Sequence, residues 1–311
     1  MVERDLPEVM KVDSDAWSKW RLESSGKREK LVPRPVSLLR MYLDSDPDGS
    51  VVALDNGKVA GYGFARRFGT LGYVGPVAVD PTSQGKGFGK KLTEACTDYL
   101  ARAGVETIGL ETMPHAPKNL GLYAKLGFKT DGLSFSMEKK PTSKVLLPTG
   151  VGSEGIEIVK ADSEDAISRI GDVCKQALHG MDYSKEAYYV RKFDLGMVLL
   201  INFHEQCVGF AICYTFRTPT QKVGMFRVKF SAMLPEYCRS PYVDAFVDSW
   251  ESWVLKLGLT GVGARFYTKN ERTLDILLSH GYAVASSHVK MHKGRFPLDD
   301  IATLHIEQWG G

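Results

Sequence analysis

Several features that would direct an interpretation are scarce in this chain of 311 residues. Its 5 cysteines are odd in number and form no C-x-x-C pair, which argues against a disulfide framework and against a cysteine-based zinc site. The formal net charge of +3 is too small to indicate a nucleic-acid partner. No run of about 18 apolar residues is present, and no apolar signal core follows the charged residues near the N-terminus. We therefore expect a soluble, cytoplasmic protein that needs no membrane, no nucleic acid and no metal ion.

The remaining composition is that of a folded protein, with 43% hydrophobic and 25% charged residues. Its most informative stretch is Val77–Leu92, in which an apolar strand ends at Pro81, a glycine-rich turn follows and a helix begins. Gly85, Gly87 and Gly89 allow the backbone to bend and to approach a ligand closely. The first N–H groups of a helix attract negative charge. The stretch therefore predicts an anion site, and in particular a site for a phosphate-bearing ligand.

Two common phosphate loops do not fit this stretch. A Walker loop requires Ser or Thr after Gly-Lys, but Lys91 occupies that position and Gln84 replaces the earlier glycine. A dinucleotide loop requires glycine at the sixth position of G-x-G-x-x-G, where the chain has Lys90. The loop therefore belongs to neither class.

Helical and strand patterns alternate in a definite order around the loop. Two helical patterns come first, at Asp5–Trp20 and Pro35–Tyr42, and an Asn-Gly turn then joins two apolar runs as a hairpin. The strand Gly72–Val79 leads into the loop, and the helix after the loop ends at Gly104. A strand, a short helix and a strand close the pattern at residues 107–111, 118–125 and 135–138.

This order of elements and two short motifs resemble the GNAT superfamily of N-acetyltransferases. The family's acyl-CoA loop reads Gln or Arg, two residues, Gly, one residue, and Gly or Ala, which Gln84, Gly87 and Gly89 match. A second motif, Tyr123 followed by Leu126–Phe128, is similar to the family's closing signature. The resemblance implies an α/β fold with a mixed, mostly antiparallel sheet flanked by helices. It also implies an acetyl-CoA-dependent N-acetyltransferase.

The second half of the chain repeats the first at an offset of 154 residues. The offset places Gly104 on Gly258, and it aligns the apolar face of the helix before each of them. We therefore predict two tandem GNAT folds. The first is a catalytic domain at residues 1–145 that binds acetyl-CoA, and the second is a degenerate copy at 154–311. The boundary is predicted in segment 141–154, where Pro, Ser, Gly and Thr cluster.

The second copy is expected to lack a working site. Residues 84–89 fall on Cys238–Val243, a segment that has no glycine and gains a proline without an N–H. Tyr123 falls on Leu277, which has no proton to give. By contrast, Asn270 matches an asparagine that the resembled family often has seven residues ahead of the tyrosine position, where the first half has Ala116.

The resemblance implies that acetyl-CoA, as co-substrate, binds to the first half. Its pyrophosphate would bind the N–H groups of the loop, and its pantetheine arm would pair with strand Val77–Val79 as an extra strand would. One N–H, taken as that of Val79, would bind the thioester oxygen. The residues predicted to bind the co-substrate are Val77, Ala78, Val79, Gln84, Gly85, Lys86, Gly87, Phe88, Gly89, Lys90 and Asn119.

The resemblance also implies two catalytic roles. Tyr123 would protonate the departing CoA thiolate as the general acid. The general base is left open between Glu111, His115 and water, because Tyr73 stands where some members of the family carry a glutamate. A structural role for Glu111 is an equal alternative.

The predicted acceptor is the primary amine of a small molecule, with a peptide or protein amine as the next choice. A non-catalytic acyl-CoA-binding sensor is the alternative, and retention of Tyr123 argues against it. A homodimer is left open, and the tail Pro297–Gly311 is expected to add a strand or to cap a sheet edge. Basic residues near the first two helices would favour an acceptor that carries a carboxylate or a phosphate. These residues are Lys19, Arg21, Lys27, Arg28, Lys30 and Arg34.

Overall fold

The computed structural model of the chain describes residues 1–142, 154–216, 218–219, 224–295 and 301–308. The predicted boundary segment 141–154 and the predicted tail 297–311 therefore lie partly outside the described residues.

The first half contains four helices and five strands in the predicted order. The helices are α1 (Leu6–Ser25), α2 (Val36–Ser45), α3 (Phe88–Arg102) and α4 (Pro117–Lys125). The strands are β1 (Ser50–Asp55), β2 (Lys58–Phe68), β3 (Leu71–Val79), β4 (Thr107–Thr112) and β5 (Lys129–Lys139).

The described part of the second half repeats this order and adds a strand at each end. Its helices are α5 (Glu164–Ala177), α6 (Ser184–Lys192), α7 (Tyr242–Lys256) and α8 (Glu271–Ser279). Its strands are β6 (Ile156–Lys160), β7 (Gly196–Phe203), β8 (Gln206–Tyr214), β9 (Met225–Met233), β10 (Gly261–Tyr267), β11 (Ala283–Gly294) and β12 (His305–Glu307).

The structure confirms the predicted elements and corrects several of their bounds, of which two differ by five residues or more. Helix α1 continues to Ser25, five residues beyond the predicted end at Trp20, and ends where Gly26 adopts a left-handed conformation. Strand β5 begins at Lys129 and not at Phe135. The polar first half of β5 hid it from a search for apolar alternation, because its pairing comes from strands that are distant in sequence.

The described strands form a single sheet of 12, in which the two halves exchange strands. Strand β11 of the second half lies between β4 and β5 of the first half, and it is antiparallel to both. In return, β5 lies between β11 and β10. Each half therefore completes the sheet of the other.

The two halves are related by a pseudo-twofold axis that passes through the centre of the β5–β11 pair. Ser134 faces His288, and these two positions are separated by the repeat offset of 154 residues. Glu138 faces Ala283 on one side of this central pair, and the equivalent residues Lys129 and His292 face each other on the other side. The internal repeat predicted from the sequence is thus a symmetry of the fold.

Helices cover both faces of the sheet. One face carries α1, α2, α5 and α6 over a single core that extends through both halves. On the opposite face, α3 and α4 cover the first half and α7 and α8 cover the second. Among the described residues, no helix is both long enough and apolar enough to span a membrane.

Candidate active site

Strands β3 and β4 form a wedge-shaped opening, which we call the first slot. They pair in parallel only where Leu71–Tyr73 faces Thr107–Gly109. Beyond Tyr73, the register of β3 against β2 shifts, and β3 turns away from β4. Along Pro76–Val79, no strand of the described chain pairs with β3 on the side of the slot.

The backbone of β3 directs two N–H groups into the first slot. The N–H of Asp80 donates to the carbonyl of Ala60 at 2.8 Å, on the β2 side. Because N–H directions alternate along a strand, the N–H groups of Val77 and Val79 point to the slot side. An extended ligand in the slot would find a strand edge there.

The glycine-rich loop closes the wide end of the slot. Gly85 and Gly87 adopt left-handed conformations with φ of +84° and +85°, and a side chain built at either position would meet no atom within 4 Å. Helix α3 begins next, and its first bond within the helix runs from the N–H of Lys91 to the carbonyl of Gly87 at 3.2 Å. Among the described residues, no carbonyl or side chain accepts from the N–H groups of residues 85–90. The loop therefore presents N–H groups of the kind that bind anions in proteins.

Three side chains fix or flank this loop. The amide of Gln84 donates to the Val79 carbonyl at 3.2 Å and accepts from the Lys19 ammonium at 2.7 Å, which joins the loop to β3 and α1. The Lys86 ammonium lies 2.8 Å from the Asp55 carboxylate. Lys90 similarly pairs with Glu94 at 3.7 Å. Most of the affinity for an anion must therefore come from the backbone, since both lysine charges are shared with carboxylates.

Tyr123 lies on α4, on the face that carries α3. Its half-buried ring packs edge-on against Phe128 at 6.1 Å between centroids. Burial raises the pKa of Tyr123 to about 12, so the phenol keeps its proton at neutral pH. Its hydroxyl makes no hydrogen bond to any residue that the structure describes. Asn119, on the first turn of the same helix, is exposed.

Glu111 is held in an ionic cluster between the two halves. Its side chain is 1% exposed, accepts from Ser134 at 2.6 Å, and pairs with Arg265 at 2.9 Å and Lys290 at 4.0 Å. Burial by itself would raise the pKa of Glu111, but these two cations outweigh burial and lower the pKa to about 2. Such a carboxylate holds a proton poorly, so its environment favours a structural role. His115 is exposed and lies beside Trp20, with 6.1 Å between ring centroids.

The structure corrects one member of the predicted basic rim. Arg34 is fully buried, and its guanidinium forms an ion pair with Asp13 next to the hydroxyl of Tyr62. Its charge is therefore balanced by Asp13 inside the core and does not contribute to a basic rim. Lys27 and Arg28 are exposed.

The second half has an equivalent slot that the chain itself fills. Strands β9 and β10 pair in parallel over four residues and then diverge. Strand β12 lies antiparallel to β9 in this gap, where it faces Phe230, Ser231 and Ala232. At the offset of 154 residues, these three positions correspond to 76–78 in the first half.

Three of the hydrogen bonds that hold the filling segment come from positions whose first-half counterparts can be named. Asn270 donates to the carbonyl of Thr303 at 3.0 Å, the Leu304 N–H donates to the Cys238 sulfur at 3.1 Å, and the His305 N–H donates to the Thr273 hydroxyl at 3.0 Å. The first-half counterparts of these three anchoring residues are Ala116, Gln84 and Asn119. Gln84 and Asn119 are among the residues predicted to bind the co-substrate.

A small cavity that the sequence did not predict lies at the narrow end of the first slot, and we call it the apex cavity. Its lining residues come from both halves and include Tyr42, Arg66, Tyr73, Gly75, Lys229 and Gln308. Lys229 lies inside strand β9, all of which is buried. A lysine within a buried strand is unusual, and this is the signal that could have revealed the cavity. No group of three or more His, Cys, Asp or Glu side chains is placed to hold a metal ion within the described ranges.

Comparison with known proteins supplies independent findings on the first half and on the whole fold. Residues 12–128 match the sequence profile of the acetyltransferase (GNAT) family. The chain is 38% identical over 92 residues to a mycothiol acetyltransferase from Amycolatopsis mediterranei, an alignment that covers 27% of this chain and 31% of that protein. The chain thus spans about a third of that relative's length.

Two solved structures resemble the fold along almost its full length. The first is a GCN5-related N-acetyltransferase from Sphaerobacter thermophilus, with a TM-score of 0.60, 15% identity, and coverage of 97% of this chain and 96% of that chain. The second is a tandem GNAT protein from the clavulanic acid biosynthesis pathway, with a TM-score of 0.60, 11% identity, and coverage of 96% and 97%. At these identities the likeness shows the fold alone.

Proposed function

Since residues 12–128 form a domain of the GNAT acetyltransferase family, we propose that the chain transfers an acetyl group from acetyl-CoA to the primary amine of a small molecule. The observation that carries this proposal is the open first slot beside an anion-binding loop. The filled second slot supports it, because an extended segment there pairs with the strand edge that corresponds to residues 76–78.

In this proposal the pyrophosphate of acetyl-CoA lies on the N–H groups of residues 85–90. The pantetheine arm pairs with β3 through the slot-side N–H groups of Val77 and Val79. One of them, assigned to Val79, donates to the thioester oxygen. Such a donor contributes about 3 kcal/mol where negative charge develops on that oxygen.

The acceptor nitrogen attacks the thioester carbon directly. A C–N bond forms, the C–S bond breaks, and the nitrogen loses a proton to a base. The departing thiolate takes a proton from Tyr123, whose phenol is protonated at neutral pH; burial raises its pKa further, to about 12. A positioned acid of this kind contributes roughly 10²–10⁴-fold in rate.

The test is thiol release from acetyl-CoA with a panel of amines, measured for the wild type, Gly87→Trp and Tyr123→Phe. Gly87→Trp fills the loop at a left-handed position and should abolish CoA binding. Tyr123→Phe should keep CoA binding and lower kcat roughly 10²–10⁴-fold.

Two matched variants control for these changes. Gly104→Trp is placed at another left-handed glycine with open space, at the far end of α3, and should leave CoA binding intact. Tyr188→Phe removes an exposed phenol hydroxyl in the second half and should leave turnover intact. Tight CoA binding without amine-dependent thiol release would favour the sensor alternative. Failure of the wild type to bind CoA would contradict the proposal at its base.

A further inference from the structure

The apex cavity places groups of the second half beside the reacting end of the first slot. Gly75 and Tyr73 belong to β3 at the point where it leaves β4, and they line the cavity. Lys229 and Phe230 of β9 line the same cavity, together with Gln308. The end of a ligand that extends from the loop to the narrow end of the first slot would therefore lie next to side chains of the second half.

Lys229 is the titratable amine of this cavity. Its side chain is 5% exposed, and its ammonium lies 5.6 Å from the centroid of the Tyr214 ring and 5.8 Å from that of Phe230. Lysine is rare in such surroundings, because a buried ammonium loses its hydration.

The charges around Lys229 do not return its pKa to the ordinary value of a lysine. Burial is the largest effect and lowers the pKa of Lys229 to about 7. Glu186 opposes this shift, whereas Arg66 and Arg265 reinforce it. The charged and phenolic groups near it, from the surrounding elements, are Tyr42, Arg66, Tyr73, Glu111, Glu186, Tyr214, Arg227 and Arg265.

We propose that the amino group of the acceptor reaches the apex cavity, whose volume of about 10 Å³ fits one water-sized group, and that Lys229 accepts its proton. This inference rests on the proposed function, and it names the base that the first half does not supply. As the acceptor nitrogen forms its bond to the thioester carbon, one of its N–H bonds breaks and the proton passes to the neutral Lys229 amine. The C–S bond breaks, and the thiolate takes the proton of Tyr123. Lys229 then releases its proton to solvent, and Tyr123 regains one.

The other groups near the slot are poorer proton acceptors. Glu111 is an ionised carboxylate that pairs with Arg265 and Lys290, and these cations lower its pKa to about 2, so it takes up a proton only in acid. The Tyr73 phenol is buried, which raises its pKa well above the ordinary value, so it is protonated at neutral pH and cannot accept a proton. A group with a pKa close to the working pH is the effective base, and Lys229 meets this condition.

The test compares the pH dependence of kcat/KM for wild type, Lys229→Arg, Lys229→Gln and the exposed control Lys175→Arg. In the wild type and the control, kcat/KM should rise with pH through about 7, because only the neutral Lys229 amine takes a proton. Both Lys229 variants should lose this rise of kcat/KM near pH 7 and keep only the pH dependence that comes from titration of the acceptor amine. Their kcat/KM at pH 7.5 should be roughly 10²–10⁴-fold lower than that of the wild type. CoA affinity should stay within about threefold, because Lys229 lies beyond the predicted CoA contacts.

The outcomes separate this inference from the proposed function. Wild-type turnover that persists unchanged in Lys229→Gln, with the same pH limb, would overturn the inference alone. Absence of turnover in the wild type with every amine would overturn both.

Discussion

The two halves contain the same slot in two different states. In the first half, the edge of β3 from Pro76 to Val79 is open among the described residues, and the loop beside it offers N–H groups. In the second half, β12 lies on the equivalent edge of β9. The second loop has Pro241 at the position of Gly87. The divergence of two parallel strands is thus a feature of the fold, and the contents of the gap decide what each half can do.

A second contrast lies on the pseudo-twofold axis. Glu111 and Arg265 occupy equivalent positions, 154 residues apart, and pair with each other at 2.9 Å. Identical residues there would bring like charges together. The halves have therefore become different at the positions where they meet, and the difference stabilises their contact.

The largest expected effect comes from exchanging the loops. Replacing residues 84–89 by the second-half sequence Cys-Arg-Ser-Pro-Tyr-Val should weaken CoA binding by at least about 100-fold, because a proline lacks an N–H and side chains fill the anion site. Calorimetric titration with CoA measures this directly.

The reverse exchange is the matched control. Placing Gln-Gly-Lys-Gly-Phe-Gly at residues 238–243 should not create a second CoA site, because β12 still fills the slot. Affinity within threefold of the wild type after the first exchange would contradict the role given to the loop.

Removal of the charge of Glu111 should cost about 3–5 kcal/mol of unfolding free energy, because Arg265 would stay largely buried without its carboxylate partner, whereas Lys290 would keep its ion pair with Glu307. The pKa of Glu111 in the folded chain is about 2, below its unfolded value. Its stabilisation is therefore complete above about pH 4.3 and is lost as the pH falls towards 2. Glu111→Gln should flatten that part of the pH profile of chemical unfolding.

Two controls accompany this prediction. The exposed Glu106→Gln should change the unfolding free energy by no more than about 0.5 kcal/mol. The charge exchange Glu111→Arg with Arg265→Glu should recover part of what each single change loses. If Glu111→Gln unfolds like the wild type at every pH, the ionic contact across the axis is not stabilising.

The segment that fills the second slot should be structural. Ile306 is fully buried in β12, so Ile306→Ala should lower the unfolding free energy by about 2–5 kcal/mol. The half-exposed Leu257→Ala serves as the control for loss of an aliphatic side chain, with a much smaller effect. A cost below about 0.5 kcal/mol for Ile306→Ala would show that the slot does not need its occupant.

The smallest effect is expected at Lys86. Lys86→Ser copies Ser240, the residue at the equivalent position in the second half, and should weaken CoA binding only about two- to threefold, since Asp55 already shares the charge. The difference should shrink at high salt. A tenfold loss would mean that the side chain, and not the backbone, supplies most of the anion affinity.

Local patterns predicted most of the fold. The Asn-Gly hairpin, the loop-to-helix turn and the internal repeat depend on residues close in sequence or on simple periodicity, and each is found as predicted. The exchange of β5 and β11 could not be predicted from local sequence patterns, because packing between the two halves determines which strands they pair with. The burial of Arg34 depends on Asp13, 21 residues earlier, and the position of Lys229 depends on a cavity that forms only when both halves meet.

Calorimetric titration of CoA into the wild type and into Gly87→Trp tests the central contrast most directly. The open first slot and the filled second slot predict one CoA bound per chain in the wild type and none in Gly87→Trp. Two CoA molecules per chain, or one that persists in Gly87→Trp, would contradict the assignment of a single open slot.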